Sequence, residues 1–174
     1  MTEEQSQLRM SFTRFDELTP PHPPPGYGLR SYRPGDEAAW IAILSTGDFG
    51  EWDRDRLDRM IAGDRAPLPL AGAYFATYDG RPVGTACTFL HQADGAELGW
   101  VAVLPEHRGR GLGAVVCGAV LAFARDLGWE RVFLLTEDFR LPAITMYLRL
   151  GFEPDMRDPT HPGRWEALRR AVGG

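Results

Sequence analysis

The sequence predicts an α/β (α+β) fold: a central mixed sheet of six to seven strands with helices on both faces. Three observations lead there. Ala96 to Leu104 is a mostly apolar run ending Val-Ala-Val and stopped by Pro105, the pattern of a buried strand. Apolar residues then recur at Leu112, Val115, Val116, Ala119, Val120, Phe123 and Leu127, the spacing of an amphipathic helix that ends at Gly128. A further apolar strand, Arg131 to Thr136, completes a strand–helix–strand unit, and upstream hairpin signals supply the antiparallel remainder.

Taken in order, Met1 to Gly26 reads as an arm outside the domain, which itself covers 27–174. The arm ends in Pro20-Pro21-His22-Pro23-Pro24-Pro25-Gly26, an extended polyproline segment, and Phe12, Phe15 and Leu18 have the spacing of a short docked helix. Tyr27 to Arg33 alternates as a strand closed by Pro34-Gly35. Asp36 is placed to cap a helix using Ala39, Trp40, Ile43 and Leu44. A second helix runs from about Trp52 to Ala62. Ala71 to Tyr78 and Arg81 to His91 form a hairpin about Asp79-Gly80, and Gln92 to Gly95 turns the chain into the central strand. After Thr136 come a helix carrying Tyr147, a short closing strand near Phe152 to Met156, and a last helix from Arg164 to Val172.

Composition narrows the function. The chain has 174 residues, 44% hydrophobic and 25% charged, as expected of one globular domain with a sizeable core. No apolar run is long enough for a membrane span and the start is polar, so a cytoplasmic protein without an export signal is expected. A net charge of −5 argues against nucleic acid as a partner. All 19 basic residues are arginine, which excludes lysine Schiff-base chemistry. Cys87 and Cys117 fall in a strand and a helix, as small buried residues. The histidines lack metal-ligand spacing, so no metal is expected.

Between the central strand and its helix lies Pro105-Glu106-His107-Arg108-Gly109-Arg110-Gly111-Leu112-Gly113-Ala114. Glycines let a phosphate approach the backbone, the helix start offers unpaired N–H groups, and two arginines add charge. A Walker loop needs Gly-Lys-Ser/Thr, and the chain has no lysine. Gly109 to Ala114 formally fits the dinucleotide fingerprint G-x-G-x-x-G/A. However, four residues separate the strand from its first glycine, and too little chain follows for a doubly wound sheet. Arg108 to Gly113 also reads as (Gln/Arg)-x-x-Gly-x-(Gly/Ala). With the preceding Val-Ala-Val strand this resembles the acyl-CoA signature of the GCN5-related N-acetyltransferases (GNAT). Ala143 to Phe152 is similar to that family's A-I-x-x-Y-x-x-x-G-F segment.

The resemblance implies a GNAT-type acyl-CoA N-acyltransferase fold, acetyl-CoA as cosubstrate, and transfer of its acetyl group to a primary amine by direct attack in a ternary complex. Arg108, Gly109, Arg110, Gly111, Leu112, Gly113 and Ala114 would receive the diphosphate. The backbone of Val101, Ala102 and Val103 would pair with the pantetheine arm as an added strand. Glu97, eleven residues before Arg108, stands at the spacing of the glutamate base in some members; a solvated strand-end glutamate is the competing reading. Tyr147 would protonate the departing thiolate, unless it is simply a packed aromatic. Members often carry asparagine near the start of this helix. This chain has no asparagine and places Arg140 there, where it could reach a phosphate.

For the acceptor, Asp36 to Asp64 holds eight acidic residues against three arginines. Asp48, Phe49, Glu51 and Trp52, with His161 nearby, are the candidate contacts for a small cationic amine; an acidic solvated helix face is the alternative. Acetylation of a protein or peptide, and a silent acyl-CoA-binding module, are the competing functions. The sequence leaves a homodimer open.

Overall fold

The computed structural model describes residues 6–172. In chain order its elements are β1 (Leu8–Phe12), β2 (Tyr27–Ser31), α1 (Glu37–Leu44), α2 (Arg54–Ala62), β3 (Ala73–Tyr78), β4 (Arg81–His91), β5 (Gly95–Val103), α3 (Leu112–Asp126), β6 (Val132–Thr136), α4 (Leu141–Leu150), β7 (Glu153–Pro154) and α5 (His161–Val172). The strands form one seven-stranded mixed sheet, ordered β2-β3-β4-β5-β6-β1-β7. All neighbours are antiparallel except β5 and β6, which the α3 crossover makes parallel.

Two apolar cores lie against the sheet. One gathers Trp40, Ile43 and Leu44 of α1 and Leu57 and Met60 of α2 around Phe75 and Phe89. The other joins Val116 and Val120 of α3, Ile144 of α4 and Trp165 of α5 to Met10, Leu98 and Leu134. Cys87 and Cys117 are free and fully buried, and burial pushes both thiols far above their usual range.

The N-terminal segment departs from expectation. Leu8–Phe12 is a strand between β6 and β7, with Leu8, Met10 and Phe12 buried. Inserting it in the sheet satisfies its backbone and buries its alternate side chains, a gain that a loose arm forgoes. The helical spacing of Phe12 and Phe15 survives only as a short 3-10 turn, Phe15–Glu17, whose first ring meets Phe12 edge-on at 5.1 Å. The proline segment also packs on the domain. A Cβ on Gly118 of α3 would sit 2.4 Å from Pro21 Cδ, so glycine is what lets the segment approach that helix.

The register of β5 matters most for the site. Thr85 opposes Ala102 and Cys87 opposes Gly99, so two β5 residues, Trp100 and Val101, face Ala86 alone. This bulge flips the alternation. Ala96 and Leu98 point to the α3 core before it, whereas Val101 and Val103 do so after it. Trp100, at φ +52°, turns to the α1–α2 side and is held edge-on by Phe49 at 5.2 Å and Trp52 at 5.0 Å. Pairing of β5 with β6 stops at Ala96↔Val132 and Glu97↔Phe133, and from there the two strands diverge.

Candidate active site

The divergence leaves the β6-facing side of β5 unpaired next to the glycine turn. Pro105–His107 closes β5 as a 3-10 turn, and Gly109 (φ +73°) and Gly111 (φ +77°) take left-handed conformations that suit glycine. A Cβ at either position would meet nothing within 4 Å, so no packing reason excludes a side chain. Gly111 is the N-cap of α3 and brings no side-chain acceptor to the helix start, leaving first-turn N–H groups available to an anion. The turn, with Val103, Leu112, Gly113 and Ala114, lines a groove of about 470 Å³ closed on its far side by Pro142, Met146 and Arg149 of α4. At Gly113 a Cβ would stand 2.9 Å from Met146 Sδ, so glycine there brings the two helices together. The groove's open glycines, free helix start and adjoining unpaired strand suit a diphosphate followed by an extended arm.

The arginines of the turn are placed differently from one another. Arg108 lines the groove, but its Nε donates to the Val103 carbonyl at 2.9 Å and its Nη2 to the Thr46 carbonyl at 3.1 Å. It thus braces the turn against β5 and the α1–α2 loop. Arg110 projects away from the groove, 6.0 Å from the Tyr27 ring centroid.

A second, smaller cavity of about 150 Å³ sits in the fork itself, between Leu98 to Val101 of β5 and Leu135 and Thr136 of β6. Glu97 and Tyr147 both line it, so the two residues singled out for proton transfer are brought together. Glu97 is 2% exposed, not a solvated strand-end side chain. One carboxylate oxygen accepts from Arg65 Nη2, and the other lies 2.7 Å from His91 Nε2. Tyr147 is also buried. Burial raises its phenol well above the ordinary value, Cys117 adds to the rise and Arg140 opposes it, so the hydroxyl keeps its proton at neutral pH.

The remaining candidates divide. Arg140 lines the fork cavity, not the glycine groove, and its Nη2 donates to the Asp48 carbonyl at 3.2 Å. That corrects the expectation that it reaches a phosphate: α4 begins at the fork, and the residue that caps it stays there. Phe49 lines the same cavity. Trp52 lies behind it, packed on Trp100. Asp48 and Glu51 are exposed and their carboxylates do not line the cavity. His161 is 2% exposed and spans the Asp155 and Gln7 carbonyls, each at 3.2 Å, which makes it an internal tie between α5 and the start of β1. Its ring nitrogens are used there and do not reach the acceptor side.

Arg65, His91 and Trp100 were not foreseen as site residues. His91 sits six positions from Glu97, across the β4–β5 hairpin, so its pairing follows from register. Arg65 comes from the α2–β3 loop, with no local pattern to announce it.

Comparison with known proteins follows the same lines. Residues 37–152 match the acetyltransferase (GNAT) family. A mycothiol acetyltransferase from Thermobispora bispora is 34% identical over 165 residues, covering 87% of this chain and 55% of that protein. Another, from Salinispora tropica, is 35% identical over 158 residues, covering 84% and 50%. The chain spans about half the length of these curated relatives. Among solved structures, a GCN5-related N-acetyltransferase from Kribbella flavida superposes with a TM-score of 0.63 at 24% identity, covering 87% of this chain and 55% of that one. A Mycobacterium tuberculosis protein in complex with CoA and NLQ gives 0.60 at 24% identity, covering 82% and 81%. The chain therefore belongs to the acetyltransferase (GNAT) family.

Proposed function

We propose that this chain transfers the acetyl group of acetyl-CoA to a primary amine of a small molecule, by direct attack with both substrates bound. The observation that carries the reading is the fork: a phosphate-sized glycine groove opens beside it, and a buried carboxylate and a protonated phenol face one cavity within it. Main-chain N–H groups from Gly109 to Ala114 hold the diphosphate. The unpaired backbone of Val101, Ala102 and Val103 aligns the pantetheine arm, and an N–H near Val103 polarises the thioester carbonyl.

An alkylammonium has a pKa near ~10, so it must lose a proton before its nitrogen can attack. Glu97 takes that proton, directly or through one water, and His91, in contact with Glu97 and partly open to solvent, offers it a way out. The amine nitrogen then bonds to the carbonyl carbon as the carbon–sulfur bond breaks. A thiol pKa near ~8.5 makes the thiolate a tolerable leaving group. With its raised pKa, Tyr147 acts chiefly by donating a hydrogen bond to the forming thiolate.

The small cationic amine expected from the acidic loop has weaker support than the transfer itself, because Asp48 and Glu51 direct no carboxylate into the cavity. A second reading is that the chain acts in the chemistry its relatives' name denotes, mycothiol acetylation; similarity over 87% of the chain favours it. Acetyl-CoA-dependent thiol release over a panel of amines, peptides and thiol-bearing amino sugars tests both. Release with small amines supports the proposal, and release only with peptides would refute it.

A further inference from the structure

Arg140 opens α4 and lines the fork cavity with Glu97, Arg65, Thr136 and Tyr147. Its guanidinium lies 4.7 Å from the Phe49 ring centroid and 5.4 Å from that of Phe139, and its one hydrogen bond goes to a main-chain carbonyl, that of Asp48. Nε is shut off from solvent with no acceptor. No carboxylate among the described residues pairs with Arg140, although Arg9, Arg30, Arg65 and Arg164 each have one. Arg140 is partly buried, with Nε covered, and a guanidinium without a counter-charge beside a cavity is a ready partner for an anion.

The other charges of the cavity already cancel. Both oxygens of Glu97 are engaged, one by Arg65 and one by His91. An amine ready to attack is neutral and brings no compensating charge. An anion for Arg140 would therefore have to come with the ligand.

We infer that the acceptor is an amino acid-like molecule, a primary amine that also bears a carboxylate, and that this carboxylate pairs with the Arg140 guanidinium while the amine faces Glu97. This rests on the acetyl-transfer reading above and names the substrate class for it. A planar guanidinium fork matches a carboxylate in two parallel hydrogen bonds, and the Phe49 and Phe139 rings flank this one. The carboxylate would meet the terminal Nη groups, one of which already donates to the Asp48 carbonyl.

The test compares β-alanine and γ-aminobutyrate with their carboxamides as acceptors, at saturating acetyl-CoA. Rates are expressed per unprotonated amine, because amidation changes the amine's own pKa. The wild type should favour each acid over its amide by about tenfold or more in kcat/KM, the usual scale of a hydrogen-bonded charge pair. In Arg140→Gln that ratio should fall to near one, and Arg140→Lys should keep part of it. A wild-type ratio of one or less would overturn the inference. So would a ratio that survives in Arg140→Gln, or a loss in that variant confined to coenzyme A affinity, which would return Arg140 to the cosubstrate. No thiol release above background with any amine would instead strike the acetyl-transfer reading, and the inference with it.

Discussion

Gly111→Ala separates what the glycine turn does for the fold from what it does for a ligand. At φ +77° an alanine is strained by about 1–2 kcal/mol, but its methyl would meet no protein atom within 4 Å. For a chain of 174 residues that strain lowers Tm by about 2–8 °C. The effect on coenzyme A should be far larger, because the methyl stands at the mouth of the groove where a diphosphate must touch the backbone. Losing one or two charge-assisted N–H bonds, each worth about 1.5–3 kcal/mol, raises Kd by about ten- to ten-thousandfold. Gly128→Ala is the control. It sits at the other end of α3, at φ +81°, also with nothing within 4 Å. Its Tm cost should match and its coenzyme A affinity should not change. Calorimetric titration with coenzyme A, beside thermal melts, reads both quantities. If Gly111→Ala keeps Kd within twofold while losing Tm like Gly128→Ala, the glycine serves only the turn and the groove is not the phosphate site.

Other predictions follow from single contacts. Tyr147→Phe should lower kcat by about 10–100-fold and leave coenzyme A affinity intact, because a thiolate leaves tolerably without full protonation; an unchanged kcat would make the ring a packing residue only. Asp36→Asn removes a fork of hydrogen bonds from Arg30, at 2.7 and 2.8 Å, and one from the Arg33 N–H. It should cost about 2–3 kcal/mol at neutral pH. Arg30 chiefly holds the Asp36 carboxyl below its usual range, with burial opposing and the Arg33 N–H assisting. That stability is present above the unfolded pKa of about 3.9 and is lost as pH falls through the lower folded value. The gap between the two proteins in urea melts should therefore shrink steadily as pH falls below about 3.9, and a gap that does not narrow would refute the assignment. In Gly118→Ala, a helix-propensity gain of about 1 kcal/mol competes with a collision against Pro21. A fall in Tm is expected; a rise would mean the proline segment does not rest on α3.

Much of this was readable from local pattern. The β5 run, its Pro105 stop, the glycines after it and the 3.6-residue rhythm of α3 are all contiguous signals, and they place the groove proposed for the cosubstrate. Strand β1 was harder. Its alternation at Leu8, Met10 and Phe12 lasts five residues and competes with the helical spacing of Phe12 and Phe15. The fork cavity was least legible, because its parts meet through tertiary register. The bulge that turns Trp100 inward exists only against Ala86, and Arg65 reaches Glu97 from 32 residues away. His161 misled for the opposite reason. Flanking Thr160 and Pro162 suggest an exposed turn, whereas the chain starts α5 there and buries the ring.

The most direct test of acetyl transfer at the fork is the kcat of thiol release in Glu97→Gln with an amine the wild type accepts, measured alongside coenzyme A affinity. A general base at this position predicts a fall of about 10²–10⁴-fold in kcat with Kd for coenzyme A unchanged, because Glu97 lies outside the groove proposed for the diphosphate. A kcat within a few-fold of wild type would show that the proton leaves by another route and that the Arg65–Glu97–His91 cluster only holds the sheet together.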